Sequence, residues 1–238
     1  MAEPSNTIKL TQEAYQQRIE ATDLQNSQAE IRANYVGWNS IQSQTIGFEV
    51  ATDLPWIDWR ITQSVLDVGC GYGQLLDFLV ARKQYQGAYW GIDIMAQFIE
   101  LASQTYQHNP NTHFWTGDFM TQDWNQQRFD VGIAIGCLGV SQDYPDPLGE
   151  KSRNYAQELI QKLIDLSNSA VSLYFPNADN IEPEKRKPRM AYYSVSEIEA
   201  MVLAAANQRC QGLTFVSFPT ANDVKTMAHL KLRPPVSP

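Results

Sequence analysis

Between Val65 and Leu76 the chain reads Val-Leu-Asp-Val-Gly-Cys-Gly-Tyr-Gly-Gln-Leu-Leu, an apolar strand that runs into three alternate glycines and then into a helix. Val65, Leu66 and Val68 suit a β-strand buried on both faces, which leaves Asp67 as a charge set at the strand's carboxyl end. A polar residue in that place usually serves a ligand. Gly69, Gly71 and Gly73 let the backbone turn sharply and lie bare against a bound molecule, after which Leu75, Leu76, Leu79 and Val80 return at helical spacing. In open α/β sheets, turns of this kind border the crevice where small molecules bind.

A dinucleotide site has the form G-x-G-x-x-G with a helix amino terminus facing pyrophosphate, whereas here D-x-G-x-G-x-G sets an acid two residues before the first glycine. The difference favours S-adenosylmethionine over NAD. That cofactor carries no phosphate, but its ammonium, carboxylate, sulfonium, ribose diol and adenine each need a polar partner. A ribose-binding acid then belongs at the end of the next strand, about 20 residues beyond the glycines. The run from Ala88 to Ile94 ends in Asp93, whose two oxygens can each accept a ribose hydroxyl, with Ile94 and Met95 set to cover an adenine face. A third strand beginning at Thr112 leads to Asp118, an acceptor for the exocyclic adenine amine, and to Phe119, whose backbone N–H can serve the ring. A fourth, Phe129 to Gly136, closes on small residues that let main-chain carbonyls approach the ammonium.

Together, Val65 to Gly73, Gly91 to Ile94, Gly117 to Phe119 and Phe129 to Gly136 resemble the successive motifs of the class I S-adenosylmethionine-dependent methyltransferases. The similarity extends upstream to Tyr35-Val36-Gly37-Trp38-Asn39-Ser40 with Ser43, Gln44 and Phe48, which looks like the amino-terminal segment that closes over the cofactor in small bacterial members. The resemblance implies an α/β, doubly wound Rossmann-like sheet of seven strands, mostly parallel with an antiparallel last strand, framed by a helical amino-terminal flap and lid insertions. It also implies S-adenosylmethionine as cofactor, held by Trp38, Asp67, Gly69, Cys70, Gly71, Asp93, Ile94, Asp118, Phe119 and Gly136. One departure stands out. Where the family pattern has an arginine for the cofactor's carboxylate, just before Phe48, this chain has Gly47, with Arg32 or Arg60 as substitutes.

At 238 residues the chain can bury one substantial α/β core. We expect one domain, with residues 1–60 as its helical flap, 61–232 as the cofactor-binding core and 233–238 as a flexible tail or a linker to another biosynthetic domain. No apolar run nears the roughly 20 residues of a membrane span, and the first residues lack the basic start and apolar core of a signal peptide, so a cytoplasmic protein is expected. Cys70, Cys137 and Cys210 are odd in number and widely spaced, which suggests free thiols and no metal site. A formal net charge of −8 argues against a nucleic-acid partner. So does Ile-Gly-Cys-Leu-Gly after the fourth strand, where resembling amino-methylating DNA enzymes carry an N/D-P-P-Y/F box. The basic cluster Lys185, Arg186, Lys187 and Arg189 reads first as a solvated loop and second as an anion-binding lid.

Helical residues are expected near 11–34, and the segment 141–168 is expected to cap the active site, its second half helical from Tyr155 to Leu166. Beyond it the pattern gives a fifth strand from Ala170 to Phe175, a proline-containing insertion over 176–193 and a helix from Val195 to Ala206 opened by Ser194 or Ser196. Leu213 to Phe218 and Val224 to Leu232 form a closing antiparallel pair. Tyr144, Tyr155, Arg189 and Tyr193 are candidates for the acceptor pocket. His108, His113 and His229 fall in a loop and two strands and read as structural, and Cys137 as a packing residue. Methyl transfer to a carboxylate or a neutral amine needs positioning alone, whereas an alcohol benefits from a base, so no catalytic residue is assigned. The expected function is methyl transfer to oxygen or nitrogen of a small molecule or peptide, a carboxylate included. The alternative is a cofactor-binding regulatory or scaffold subunit without turnover. A nicotinamide dehydrogenase fits less well, for want of a Tyr-x-x-x-Lys or similar proton-transfer set.

Overall fold

The computed structural model describes residues 6–21, 28–143, 149–219 and 224–234. Seven strands form one sheet: β1 (Ser64–Val68), β2 (Ala88–Asp93), β3 (Thr112–Thr116), β4 (Phe129–Ala134), β5 (Ser167–Phe175), β6 (Cys210–Pro219) and β7 (Val224–Leu232). Their order is β3-β2-β1-β4-β5-β7-β6. Neighbours from β3 to β5 run parallel, while β7 runs antiparallel to both β5 and β6. The chain builds outward from β1 to β3, then returns to lay β4 on the other side of β1. The connections on either side of that junction diverge and leave a crevice at the carboxyl ends of β1 and β4.

Successive side chains of β1 divide between the two faces of the sheet. Leu66 and Val68 join a buried cluster with Leu159 and Leu163 of α6 (Glu150–Leu166) and Ile198 and Val202 of α7 (Val195–Ala206). Val65 joins another, with Leu75, Leu76 and Leu79 of α4 (Gln74–Lys83). The same second cluster takes in Phe48 and Ala51 of α3 (Ile41–Ala51), so α3 is packed into the core next to the sheet. Helix α5 (Ala96–Thr105) follows β2.

Helix starts follow local chemistry. At α7, Ser194 accepts the Glu197 N–H at 3.1 Å while Glu197 accepts the Ser194 N–H at 2.8 Å, so Ser194 and not Ser196 opens the helix. Within the helical stretch expected near 11–34, the described residues form α1 (Asn6–Ala21) and α2 (Gln28–Tyr35). The segment expected to cap the active site is mostly core: α6 buries Ala156, Leu159, Ile160, Leu163 and Ile164 against the sheet and α7, because its apolar residues recur on one face. The insertion over 176–193 contains two short 3₁₀ turns, Ala178–Asn180 and Pro183–Lys185. The final hairpin runs longer than its apolar pattern, β6 beginning at Cys210. No helix among the described residues is long and apolar enough to cross a membrane.

Candidate cofactor and acceptor site

The turn from β1 to α4 is fastened from the neighbouring strand. The Gly69 and Cys70 N–H groups donate to the Ile92 carbonyl at 2.8 and 3.2 Å. Gly71 has φ +53° and its absent Cβ would lie 2.7 Å from Val36 Cγ1, so both the conformation and the approach of the amino-terminal segment require glycine. Its N–H donates to Asp93 Oδ2 at 2.9 Å, and the Met95 N–H donates to Asp93 Oδ1 at 2.9 Å. Each oxygen keeps a lone pair for a ligand hydroxyl. Burial raises the Asp93 pKa to about 6 in spite of these backbone donors. Asp67 is 3% exposed and accepts a hydrogen bond from the Tyr89 hydroxyl on β2. Burial lifts its pKa to about 7, the Tyr89 bond pulls it down, and the nearby Asp93 adds to the rise.

Three hollows meet at this crevice. One narrow cleft contains Asp67, Gly69, Cys70 and Gly71, with Gln44 and Phe48 of α3 and Trp38 along its side. A second contains Asp93, Ile94, Asp118, Phe119, Gly136 and Cys137, and is bordered by Tyr15 of α1 and Tyr155 of α6. The third is a chamber of about 290 Å³ whose walls come from α1, Trp38, Tyr174, residues 187–190 and Lys225 at the start of β7. Tyr15, Ile135 and Gly136 border both the second cleft and the chamber. Val36, Trp38 and Ile135 border both the first cleft and the chamber. Helix α1 is held over the junction by Gln12, whose side-chain amide donates to the Ile94 carbonyl at 3.1 Å, and by Gln17, which accepts from Arg189 Nη1 at 2.9 Å.

The ten residues expected at a cofactor all border the two narrow clefts, Trp38 and Gly136 bordering the chamber as well. The acceptor candidates fare differently. Arg189 lines the chamber, Tyr155 opens on the Asp93 cleft, and Tyr144 lies outside the described residues. Tyr193 is a correction: it is 2% exposed within the core cluster, its hydroxyl donates to the Ser152 carbonyl at 3.1 Å, and a bridge with Asn177 holds its backbone there. Tyr15, Arg18, Tyr174 and Lys225 went unmarked in the sequence, since the segments that carry them meet only in the fold.

Gly47 has a steric reason. Its absent Cβ would lie 2.2 Å from Trp38 Cη2, so the indole occupies the space an arginine at this position would leave by. Neither Arg32 nor Arg60 borders any of the three hollows, and Arg60 is ion-paired with Asp58 at 2.7 Å on the surface. A different cation stands beside Trp38: Lys225 Nζ lies 5.3 Å from its ring centre and 4.8 Å from that of Tyr174. The Cys137 thiol donates to the Val68 carbonyl at 3.1 Å and burial holds its pKa high, which disarms it as a nucleophile. His113 packs on Trp90 with ring centres 4.2 Å apart, and burial of His229 in β7 lowers its pKa.

A seven-stranded sheet in this order, with acids at the ends of β1 and β2 around a glycine turn, is the fold of the class I S-adenosylmethionine-dependent methyltransferases. A family model described as a methyltransferase domain matches residues 65–154, so this stretch is a methyltransferase domain of that class, and S-adenosylmethionine is the cofactor of the class. The chain is 30% identical over 118 residues to a 2-phytyl-1,4-naphtoquinone methyltransferase of Thermosynechococcus vestitus, a match covering 49% of this chain and 52% of that protein. It is 32% identical over 98 residues to a tRNA1(Val) (adenine(37)-N6)-methyltransferase of Vibrio vulnificus, covering 38% of this chain and 40% of that one. The chain thus spans about half the length or less of the relatives it matches. Among solved structures, the magnesium protoporphyrin IX methyltransferase of Synechocystis PCC 6803 with bound SAH superposes with a TM-score of 0.60 at 18% identity, covering 96% of this chain and 99% of that one. That likeness is one of fold.

The residues present suit the cofactor. A Cβ on Gly117 would meet nothing within 4 Å and one on Gly136 only the Tyr15 hydroxyl, 3.8 Å away, so both glycines leave room along the cleft. Three acids face it at the ends of successive strands, and none of the residues of the two narrow clefts is a lysine or arginine. That donor set matches a cationic, phosphate-free nucleoside.

Proposed function

We propose that the chain transfers a methyl group from S-adenosylmethionine to an oxygen or nitrogen of a small-molecule or peptide acceptor, by direct in-line displacement. The observation that carries the reading is the shared wall: Tyr15, Ile135 and Gly136 border both the Asp93 cleft and the chamber, so donor and acceptor meet across them. When bound, the cofactor supplies a methyl group activated on a sulfonium and leaves as S-adenosylhomocysteine. Asp93 takes the ribose diol, Asp118 and the Phe119 N–H take adenine, and Ile94 covers its face. Asp67 and the Gly69 to Gly71 turn would hold the amino-acid end, with Trp38 and Cys70 lining the same cleft.

The acceptor's lone pair forms the new bond to the methyl carbon as the carbon–sulfur pair returns to sulfur, and any acceptor proton passes to solvent. Among the described residues, no carboxylate or imidazole lines the chamber. Burial raises the Tyr15 pKa, so its phenol stays protonated and orients the acceptor as a hydrogen-bond donor. Catalysis then rests on alignment and exclusion of water. An anionic acceptor, a carboxylate-bearing one included, suits the chamber. The net charge of −8 speaks against a nucleic-acid substrate. We place the protein in the cytoplasm, in biosynthesis, alone or joined to a further biosynthetic domain.

A second reading, cofactor binding without turnover, draws on Gly47, which leaves no arginine for the cofactor's carboxylate at that position. Calorimetric titration with S-adenosylmethionine, S-adenosylhomocysteine and NAD, on wild type and Asp93→Ala, tests both. Selective binding of the sulfur nucleosides, lost in the variant, is the expected result; binding of NAD or of nothing overturns it. Cofactor binding with no methyl released to any acceptor selects the second reading.

A further inference from the structure

The chamber is basic in an acidic protein. The chain has 18 lysines and arginines against 26 acids, yet Arg18, Lys187, Arg189 and Lys225 all line this one hollow and, among the described residues, no Asp or Glu does. They arrive from α1, from the 187–190 turn and from β7, so sequence proximity does not account for the grouping. Within the basic cluster the fold has sorted the side chains. Lys185 is paired with Glu182 at 2.7 Å, and Arg186 donates to the Ala178 carbonyl at 3.0 Å. Lys187 and Arg189 line the chamber, Arg189 with its Nη1 on Gln17 Oε1 at 2.9 Å. Their turn is tied to the chamber floor, since the Ser141 N–H donates to the Arg189 carbonyl at 3.0 Å and the Ala191 N–H to the Gly139 carbonyl at 3.2 Å.

The charge is also displaced from the chemistry. None of the four cations borders either cofactor cleft. The walls the chamber shares with those clefts are Tyr15, Val36, Trp38, Ile135 and Gly136, all uncharged. Trp38, one of these shared walls, and Tyr174 both lie under Lys225, whose Nζ is 5.3 and 4.8 Å from their ring centres.

Resting on the methyltransferase reading above, we infer that the acceptor is a small anionic molecule with a planar or aromatic body, whose carboxylate or similar anionic group is a handle held by Lys187, Arg189, Arg18 and Lys225. The methyl group goes to an uncharged oxygen or nitrogen at the opposite end, beside Tyr15 and Gly136. The handle is not itself the methylated group. In the transfer, the hydroxyl or amine lone pair bonds the methyl carbon, the carbon–sulfur pair passes to sulfur, and the displaced proton goes to water.

The test uses the full chain loaded with S-adenosylhomocysteine and titrated by calorimetry with para-hydroxybenzoate, para-aminobenzoate and para-hydroxycinnamate, each beside its carboxamide. At least one carboxylate is expected to bind about tenfold or more tightly than its amide. Lys187→Gln and Lys225→Gln should each erode that preference while S-adenosylhomocysteine affinity stays within about twofold, which also shows that the variants fold. With labelled S-adenosylmethionine, the product's methyl group should survive mild alkali, as an ether or N-methyl group does and a methyl ester does not. Equal binding of every acid and its amide, or an alkali-labile ester, overturns the inference and leaves the methyltransferase reading standing. Failure of wild type to bind S-adenosylhomocysteine brings down both.

Discussion

Asp93→Asn preserves the shape of a side chain that does two jobs and removes its charge. In the wild type the carboxylate accepts the Gly71 and Met95 N–H groups, each at 2.9 Å, and its pKa still rises from 3.8 to about 6 because burial outweighs those bonds. At about 1.4 kcal/mol per unit, the ionised form sits in the empty fold at a disadvantage of about 3 kcal/mol relative to the protonated one. Asparagine escapes that disadvantage and gives up one charge-assisted hydrogen bond, an interaction of about 1.5–3 kcal/mol. The stability of the empty protein at pH near 8 should therefore shift by no more than about 1–2 kcal/mol. Cofactor binding fares worse. Two ribose hydroxyls lose a charged acceptor and one now faces an amide donor, which costs about 2–4 kcal/mol, or roughly 30- to 1000-fold in Kd. Calorimetry with S-adenosylhomocysteine, run beside thermal unfolding of the empty protein, reads the two effects separately. Affinity within about threefold of wild type refutes the ribose assignment. A collapse of melting temperature refutes the balance drawn here between burial and the two backbone bonds.

Asp67 and Asp93 have pKa values of about 7 and about 6 in the fold, above the 3.8 of an unfolded aspartate. Their contribution to stability is full below that unfolded value and is lost as pH rises through the folded ones, so the empty protein should lose stability between about pH 4 and pH 7.5, seen in urea melts and flattened in the double Asn variant. Cofactor affinity should run the other way, weakening by roughly tenfold per pH unit once Asp93 is protonated, a trend that calorimetry from pH 5 to about 8 would show or deny. Gly47→Ala sets a Cβ 2.2 Å from Trp38 Cη2 and should destabilise the fold by about 1–3 kcal/mol; a change below about 0.5 kcal/mol in urea unfolding would mean that the indole has somewhere else to go. Tyr193→Phe removes the bond to the Ser152 carbonyl and should lower stability by about 1–2 kcal/mol with acceptor KM unchanged, whereas a KM rise of about tenfold would return Tyr193 to the site.

The cofactor half of the site was legible because its signals are local. The acid, the glycines and the helical leucines lie within a dozen residues of one another, and Asp93 falls at the end of the neighbouring parallel strand, paired in register from Ser64 with Ala88 to Val68 with Ile92. Bounds of α7 and β7 were likewise written in a capping serine and an alternating pattern. The chamber was legible only in part: Arg189 stood out in its basic cluster, but Tyr15 and Lys225 join it across separations that no periodicity reports, and α1 is polar enough to look like an ordinary surface helix. Tyr193 misled for a related reason: it closes the proline-containing insertion over 176–193, and only the fold shows the bridge to Asn177 that draws it inward. Trp38 and Gly47 make sense only as a pair, since the missing arginine and the buried indole claim one volume.

Helix α1 rests on both halves of the site at once. Gln12 is tied to the Ile94 carbonyl on the nucleoside side and Gln17 to Arg189 on the acceptor side, with the Tyr15 ring between them packed edge-on against Phe98 at 6.2 Å. A ligand that steadies the helix from one side lowers the conformational entropy still to be lost when the other binds. By thermodynamic reciprocity the favour would be returned in equal measure, so two molecules with no contact residue in common would sense each other through one helix.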